Sequence, residues 1–143
     1  MNTQPAIETV LGFDYGERRI GVAVGQTLTR TANPLRVLPA HAGQPDWAEV
    51  QRLIETWRPT RLIVGLPSTA DGAPHPVAEA IKRFGRRLHG RFGLGVEYVD
   101  ERLSSHEAAA LCGNDPAQLD AVAAGLILET WLMELPQSPR EPT

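Results

Sequence analysis

The stretch TVLGFDYGERRIGVAV, residues 9–24, decides the fold. It contains two apolar runs, TVLGF at 9–13 and IGVAV at 20–24, which are joined by a polar segment with a glycine in it. Two apolar runs around a turn of this kind predict an antiparallel β-hairpin. The run TANPLRVL at 31–38 is a candidate third strand, and its Pro34 favours a position at a strand start or a sheet edge.

Beyond these strands, helical and extended patterns alternate along the chain. Apolar spacing predicts helices at 45–57, 76–89 and 117–134, and β-branched runs predict strands at 61–66 and 96–99. A further short helix is predicted at 104–111, where Ser104 and Glu107 have the spacing of a capping box. The order β-β-β-α-β-α-β-α-α predicts an α/β fold, with a mixed sheet that carries helices on both faces.

Length and composition exclude several classes of protein. The chain has 143 residues, 42% of them hydrophobic and 22% charged, which is typical of one globular domain. We expect a single domain at 9–135, a flexible N-terminus at 1–8 and a flexible, Pro-rich tail at 136–143. No apolar run approaches the ~20 residues of a membrane span, and no signal peptide is recognisable. A single cysteine, Cys112, excludes an internal disulfide framework, so we expect a cytoplasmic protein.

Basic residues are concentrated in one predicted helix, although the net charge of the chain is −3. The run without any acid contains Lys82, Arg83, Arg86, Arg87 and Arg91. Because phosphates respond to local charge, this helix is a candidate phosphate-binding track. A solvated helix face is the alternative interpretation. Without interleaved aromatic residues, the run indicates contact with a nucleic-acid backbone and not with stacked bases.

Acidic residues lie where the predicted elements begin or end. Asp14 ends the first strand, Asp100 and Glu101 end the last strand, and Asp120 lies near the start of the last helix. Ligand sites in open sheets form near strand ends, so these residues would meet if the first and last strands lie close together. Each also has an ordinary structural explanation: a turn residue for Asp14, a solvated strand end for Asp100 and Glu101, and a favourable helix-dipole position for Asp120.

Crowded carboxylates are typical of sites for hard divalent cations. Carboxylates within a few ångströms repel one another, and a cation removes that repulsion. Mg²⁺ and Mn²⁺ prefer oxygen ligands, commonly one or two carboxylates together with a substrate phosphate. Two such ions ~4 Å apart can activate water and stabilise a leaving oxygen in phosphodiester hydrolysis.

Four sequence blocks occur in an order typical of one family. They are LGFDYGERRIGVAVG (11–25), LIVGLPSTADG (62–72), VDERLSSHEA (99–108) and DAVAAGLILETWL (120–132). Together they resemble the YqgF family, also called RuvX, whose members are described as pre-16S rRNA nucleases and as Holliday-junction-resolvase-like proteins. The resemblance implies an RNase H-like fold, in which a five-stranded mixed sheet has three antiparallel strands followed by two parallel ones.

The resemblance also implies which residues form the site. Asp14, Glu101 and Asp120 match the family's acidic positions and would be catalytic residues that hold one or two Mg²⁺ or Mn²⁺ ions. Asp100 is the alternative to Glu101, because adjacent strand residues face opposite sides of a sheet. The nucleic-acid contacts would come from basic residues near the acids and on the basic helix: Arg18, Arg19, Arg102, Lys82, Arg83, Arg86 and Arg87.

Three departures from the family pattern lie close to these positions. The segment LCGNDPAQL at 111–119 is short and lacks a lysine that is common in the family before Asp120. Ala121 stands where serine is common, and Ser68, Thr69 and Ala70 stand where a bulky residue and asparagine are usual.

The expected function is a metal-dependent endonuclease that processes the 5′ end of pre-16S rRNA in ribosome biogenesis. The metal would generate the attacking hydroxide, and cleavage would leave a 3′-hydroxyl and a 5′-phosphate. The expected partners are nucleic acid and the assembling small ribosomal subunit, with at most a weakly bound second copy of the chain.

One alternative function is a Holliday-junction-resolvase-like DNase, which needs two symmetric cuts and therefore a dimer. The other is a non-catalytic module that binds RNA or the ribosome.

Overall fold

A computed structural model describes residues 8–67, 77–101 and 116–135 of the chain. The strands are β1 (Thr9–Asp14), β2 (Arg19–Gln26), β3 (Thr31–His41), β4 (Gln44–Pro45), β5 (Arg61–Pro67) and β6 (Gly95–Glu101). The helices are α1 (Trp47–Trp57), α2 (Ala78–Phe92) and α3 (Pro116–Glu134). The predicted helix at 104–111, residues 1–7 of the predicted flexible N-terminus and the whole predicted tail at 136–143 lie outside the described residues.

All the described strands belong to one mixed sheet, in the order β4-β3-β2-β1-β5-β6. The pairs β1–β2, β2–β3 and β3–β4 are antiparallel, and β5 runs parallel to both β1 and β6. This confirms the predicted three antiparallel strands followed by two parallel ones. The sheet has six strands and not five, because the chain turns back after His41 and adds β4.

The extra strand follows from a turn that the sequence hides. Ala42 and Gly43 have φ angles of 53° and 81°, so both residues of the two-residue loop are left-handed. A loop of this kind matches the twist of two antiparallel strands and permits a tight hairpin. Asn or Asp usually precedes the glycine in such loops, and here the residue is alanine, so no turn signal marks the position.

Strand alternation divides the core into two layers. Leu11, Phe13 and Val22 face α1 and α2, and they are fully buried in the larger hydrophobic cluster. Val10, Ala23 and Ile63 face α3 on the opposite side of the sheet. The prediction of helices on both faces is therefore confirmed. In the described residues, no helix is long and apolar enough to cross a membrane.

Candidate functional site

Asp14 ends β1 on the side of the sheet that carries α3. Val10 packs in the α3 layer, and a side chain at Gly12 would meet Leu128 of α3. Asp14 continues this alternation and is half-buried. Its antiparallel partner in β2 is Gly21, so the two residues are direct neighbours on the same face.

The first turns of α3 lie directly over Gly21. A Cβ atom added at Gly21 would overlap the backbone carbonyl of Asp120, so only glycine lets the helix approach β2 this closely. Ala121 is buried in the same contact. Gly21 thus links the two acidic positions: it pairs with Asp14 and touches the backbone of Asp120. The structure therefore brings Asp14 and Asp120 to one side of the sheet.

Arg19 forms an ion pair with Asp120. Its Nε atom donates to Asp120 Oδ2 over 2.9 Å. The Arg19 side chain is 60% exposed and that of Asp120 is 24% exposed, so the acid is the more enclosed partner. Arg19 had been predicted only as a phosphate contact, and the structure shows that it also holds one of the predicted acids.

The turn that carries these basic residues is attached to the β3–β4 hairpin. The amide of Ala40 donates to the carbonyl of Arg18 over 2.8 Å, and that of Gly43 donates to the carbonyl of Glu17 over 2.9 Å. The side chain of Arg18 is exposed. The hairpin that the sequence did not reveal therefore holds in place the turn between Asp14 and Arg19.

The end of β6 lies one strand away from β1. Val99 packs in the α3 layer and Tyr98 lies against α2, so strand alternation assigns Asp100 to the α2 side. The structure describes the backbone of Glu101, which pairs with Pro67 of β5. Because β5 separates β1 from β6, their backbones are about 10 Å apart, which is twice the strand spacing.

The intervening strand leaves room on the α3 side. One residue beyond the pair Phe13–Val64, β5 has Gly65 beside Asp14, on the same side as the buried Ile63. A glycine at this position places no side chain between Asp14 and β6.

The donor chemistry of this end of the sheet suits a hard cation. Asp14 and Asp120 offer carboxylate oxygens, which Mg²⁺ and Mn²⁺ prefer, and one or two carboxylates suffice when substrate phosphate completes the shell. Among the described side chains, no group of three His, Cys, Asp or Glu residues is close enough to hold a metal ion. The described part of the site is thus a pair of carboxylates, with the backbone of Glu101 nearby.

The predicted basic residues fall into two separate groups. Arg18 and Arg19 lie beside the acids. The basic residues of α2 lie on the other side of the sheet, where Lys82, Arg83 and Arg86 are exposed and Arg87 is half-buried. Arg102, the shortened segment at 111–115 and the departing residues 68–70 lie outside the described residues.

Tyr98 is a surface feature that the sequence pattern did not indicate. It is 38% exposed and belongs to β6, yet its hydroxyl lies over Gly85 of α2, within the basic run. The basic face therefore has an aromatic neighbour, which comes from β6 and not from the basic run itself. The residue could not be found from helix periodicity, because it comes from the following strand.

Comparison with known sequences gives matches over most of the chain. The family model RuvX, described as Holliday junction resolvase, matches residues 8–134. A protein of Nitrosococcus oceani named "Putative pre-16S rRNA nuclease" is 51% identical over 131 residues, which cover 87% of this chain and 86% of that protein. A protein of Azotobacter vinelandii with the same name is 50% identical over 134 residues, covering 89% and 94% of the two chains.

Comparison with solved structures gives the same fold at low sequence identity. Thermus thermophilus RuvC in complex with a Holliday junction substrate has a TM-score of 0.51 and 17% identity, covering 87% of this chain and 94% of that one. The fowlpox virus resolvase in complex with Holliday junction DNA has a TM-score of 0.55 and 12% identity, covering 87% and 97%. The predicted resolvase-like, RNase H-like architecture is confirmed.

Proposed function

The chain belongs to the RuvX family, a family of nucleases. From that membership we propose that it is a metal-dependent endonuclease that processes the 5′ end of pre-16S rRNA. The observation that carries the proposal is the position of Gly21, which pairs with Asp14 and touches the backbone of Asp120 at the end of the sheet where β5 and β6 also finish. Two relatives that are 51% and 50% identical to this chain are named "Putative pre-16S rRNA nuclease", which supports pre-rRNA as the substrate.

The acids have the role of holding divalent ions. Asp14 and Asp120 would hold Mg²⁺ or Mn²⁺, and Glu101 would contribute from the far side of Gly65, with Asp100 as the alternative. Such ions lower the pKa of water and neutralise charge on phosphate in phosphodiester hydrolysis. Arg19 keeps the Asp120 carboxylate in one orientation through its Nε–H, which fixes one of its two oxygens.

The basic residues have the role of binding and orienting the substrate. Arg18, Arg19 and Arg102 are proposed to contact phosphates next to the scissile bond. The basic residues of α2 are proposed to contact phosphates farther along the RNA strand, since α2 lies on the other side of the sheet. They are Lys82, Arg83, Arg86 and Arg87. Substrate presented on the assembling small ribosomal subunit, in the cytoplasm, would supply the remaining contacts.

A cleavage panel tests the proposal. Wild type and Asp14→Asn are incubated with a 5′-extended 16S precursor RNA in Mg²⁺, in Mn²⁺ and in EDTA. Loss of residues that only orient ligands costs 10–100-fold, so loss of a direct ligand should lower the cleavage rate by more than about 100-fold. Asp46→Asn is the matched control, because it makes the same exchange at the start of α1, away from the site.

Equal cleavage by wild type and Asp14→Asn would overturn the proposed site. Cleavage that persists in EDTA would overturn the metal requirement. Folding of both variants is checked by thermal denaturation, so that a loss of rate is not confused with a loss of structure.

A junction-resolving DNase is the second candidate, because the matching family model is described as a Holliday junction resolvase. The same panel includes a synthetic four-way DNA junction. Symmetric incision of a junction requires two copies of the chain, so sedimentation should then show a dimer on the junction. Cutting of the RNA by a monomer, or by a weakly associating chain, with the junction left intact, would favour the first candidate.

A further inference from the structure

Tyr98 lies against α2 at the turn that carries Lys82 and Arg86. Its hydroxyl donates to the carbonyl oxygen of Lys82 at 3.5 Å and lies over Gly85. Lys82 and Arg86 are one helical turn apart and both are exposed. Burial raises the pKa of the Tyr98 hydroxyl, and the positive charge of Arg86, which is close enough to act on it, partly opposes that rise. A partly exposed aromatic ring therefore lies at the turn of α2 that carries two exposed basic residues, with Arg86 close enough to act on its hydroxyl.

Gly85 is what lets the ring lie on the helix. A Cβ atom added at Gly85 would overlap the Tyr98 hydroxyl, so the ring occupies the volume of the missing side chain. Glycine inside a helix costs about 1 kcal/mol relative to alanine. The contact with Tyr98 gives a structural reason for a glycine at this position in the middle of α2.

We propose that Tyr98, Lys82 and Arg86 form a subsite for a single-stranded segment of the RNA substrate, with one unpaired base stacked on the Tyr98 ring and the adjoining phosphates against the two cations. The inference rests on the proposed function and adds to it the form of the substrate. A base can present its face to a side chain only when it is unstacked from its neighbours, and aromatic rings bordered by positive charge are typical of proteins that bind single strands.

The subsite is connected to the acids around the edge of the sheet. Among the described residues, β6 is the terminal strand of the sheet, and no described strand pairs with its outer edge. Tyr98 precedes Glu101 by three residues, about 10 Å along the strand, which is the rise of about three stacked nucleotides. In this proposal, a single strand that leaves the acids on the α3 side passes around β6 to reach Tyr98 on the α2 side.

Binding measurements without cleavage test the subsite. The full chain in EDTA is titrated into a labelled single-stranded RNA that spans the processing region, and into a perfect duplex of the same length. Tyr98→Leu should weaken single-strand binding by roughly 5- to 150-fold, the usual effect of removing a stacking ring, and leave duplex binding almost unchanged. Tyr98→Phe keeps the ring and should bind like wild type. Arg86→Gln should weaken both RNAs, whereas Arg52→Gln, an exposed charge on α1, should affect neither.

A second measurement avoids any variant that fails to fold. Wild type is irradiated with the same RNA carrying 5-iodouridine, and the crosslinked peptide is identified by mass spectrometry. A crosslink at Tyr98 supports the subsite, and crosslinks confined to other residues overturn it. Equal single-strand affinity of wild type and folded Tyr98→Leu also overturns it, while weaker binding by Arg86→Gln would still support the proposed function. Absence of any RNA binding by wild type would overturn both.

Discussion

Arg19 and Asp120, which are 101 positions apart in the chain, are joined by a hydrogen-bonded ion pair between Nε and Oδ2 of 2.9 Å. The pair connects the start of β2 to the first turns of α3, directly beside the partner of Asp14. The same guanidinium that orients Asp120 also places a positive charge next to the proposed cation. Arg19 should therefore influence metal affinity as well as RNA binding.

Arg19→Gln should raise the affinity for Mn²⁺, because it frees an Asp120 oxygen and removes a nearby positive charge. Calorimetric titration of the folded variant with Mn²⁺ measures the change. Arg18→Gln removes one positive charge at the neighbouring position, where the arginine side chain is exposed, and should change the Mn²⁺ affinity less. Weaker Mn²⁺ binding by Arg19→Gln would instead show that the arginine is needed to keep Asp120 in position.

Gly21→Ala should damage both stability and cleavage. The new methyl group would overlap the Asp120 carbonyl, so either α3 or β2 must move. Overpacking of this kind costs about 1–3 kcal/mol, and here the displaced backbone carries a proposed metal ligand. We expect a lower melting temperature and, in the protein that remains folded, slower cleavage.

Gly90→Ala is the matched control for that substitution. Gly90 lies in α2, and a Cβ added there has open space around it. Alanine should stabilise the helix by about 0.5–1 kcal/mol, since glycine is the poorer helix former. A Gly21→Ala protein that melts and cleaves like wild type would show that α3 can shift without loss of the site.

Asp46→Ala should lower stability without lowering cleavage per folded molecule. Asp46 caps α1: its Oδ1 accepts from the amide of Ala48 over 3.0 Å. Loss of such a cap costs about 1 kcal/mol, which chemical denaturation can resolve. Asp46→Asn can still accept this hydrogen bond and should lose little. A cleavage defect in Asp46→Ala at full folding would indicate that α1 contributes to substrate binding.

The hairpin, the alternation of helices and strands and the two-sided core were predictable because they depend on local periodicity. Runs such as IGVAV and the spacing of Val50, Leu53 and Trp57 reveal the elements without knowledge of the tertiary structure. The strand β4 was not predictable, because it depends on a left-handed Ala42. Local signals also failed to show that β5 separates β1 from β6, since strand order is a property of the whole sheet.

The candidate site was predictable as a set of residues but not as a set of contacts. Asp14 and Asp120 stood out because acids interrupt apolar segments at element ends. The pairing of Asp120 with Arg19 and of Tyr98 with Gly85 joins different elements, and no spacing along the chain encodes it. The role of Glu101 as a ligand stays a prediction that strand alternation favours over Asp100.

The ionisation of the Tyr98 hydroxyl with pH reports on the surface that is proposed to bind RNA. Burial raises the pKa of the hydroxyl above its ordinary value of 10.0, and Arg86 partly lowers it. The chain has two tyrosines, Tyr15 and Tyr98, so ultraviolet titration of Tyr15→Phe reports Tyr98 alone. Because the folded chain holds this proton more tightly than the unfolded chain does, the contribution of Tyr98 to stability is complete below pH 10 and is lost as the pH rises through the folded-state pKa.

Removal of Arg86 provides the control for this titration. In the Tyr15→Phe background, Arg86→Gln should raise the pKa of Tyr98 further, because the opposing positive charge is gone and the burial remains. Arg52→Gln, a charge on α1, should leave the titration unchanged. A Tyr98 pKa at or below that of free tyrosine, or one that falls when Arg86 is neutralised, would contradict the packing of Tyr98 against Gly85 with Arg86 nearby.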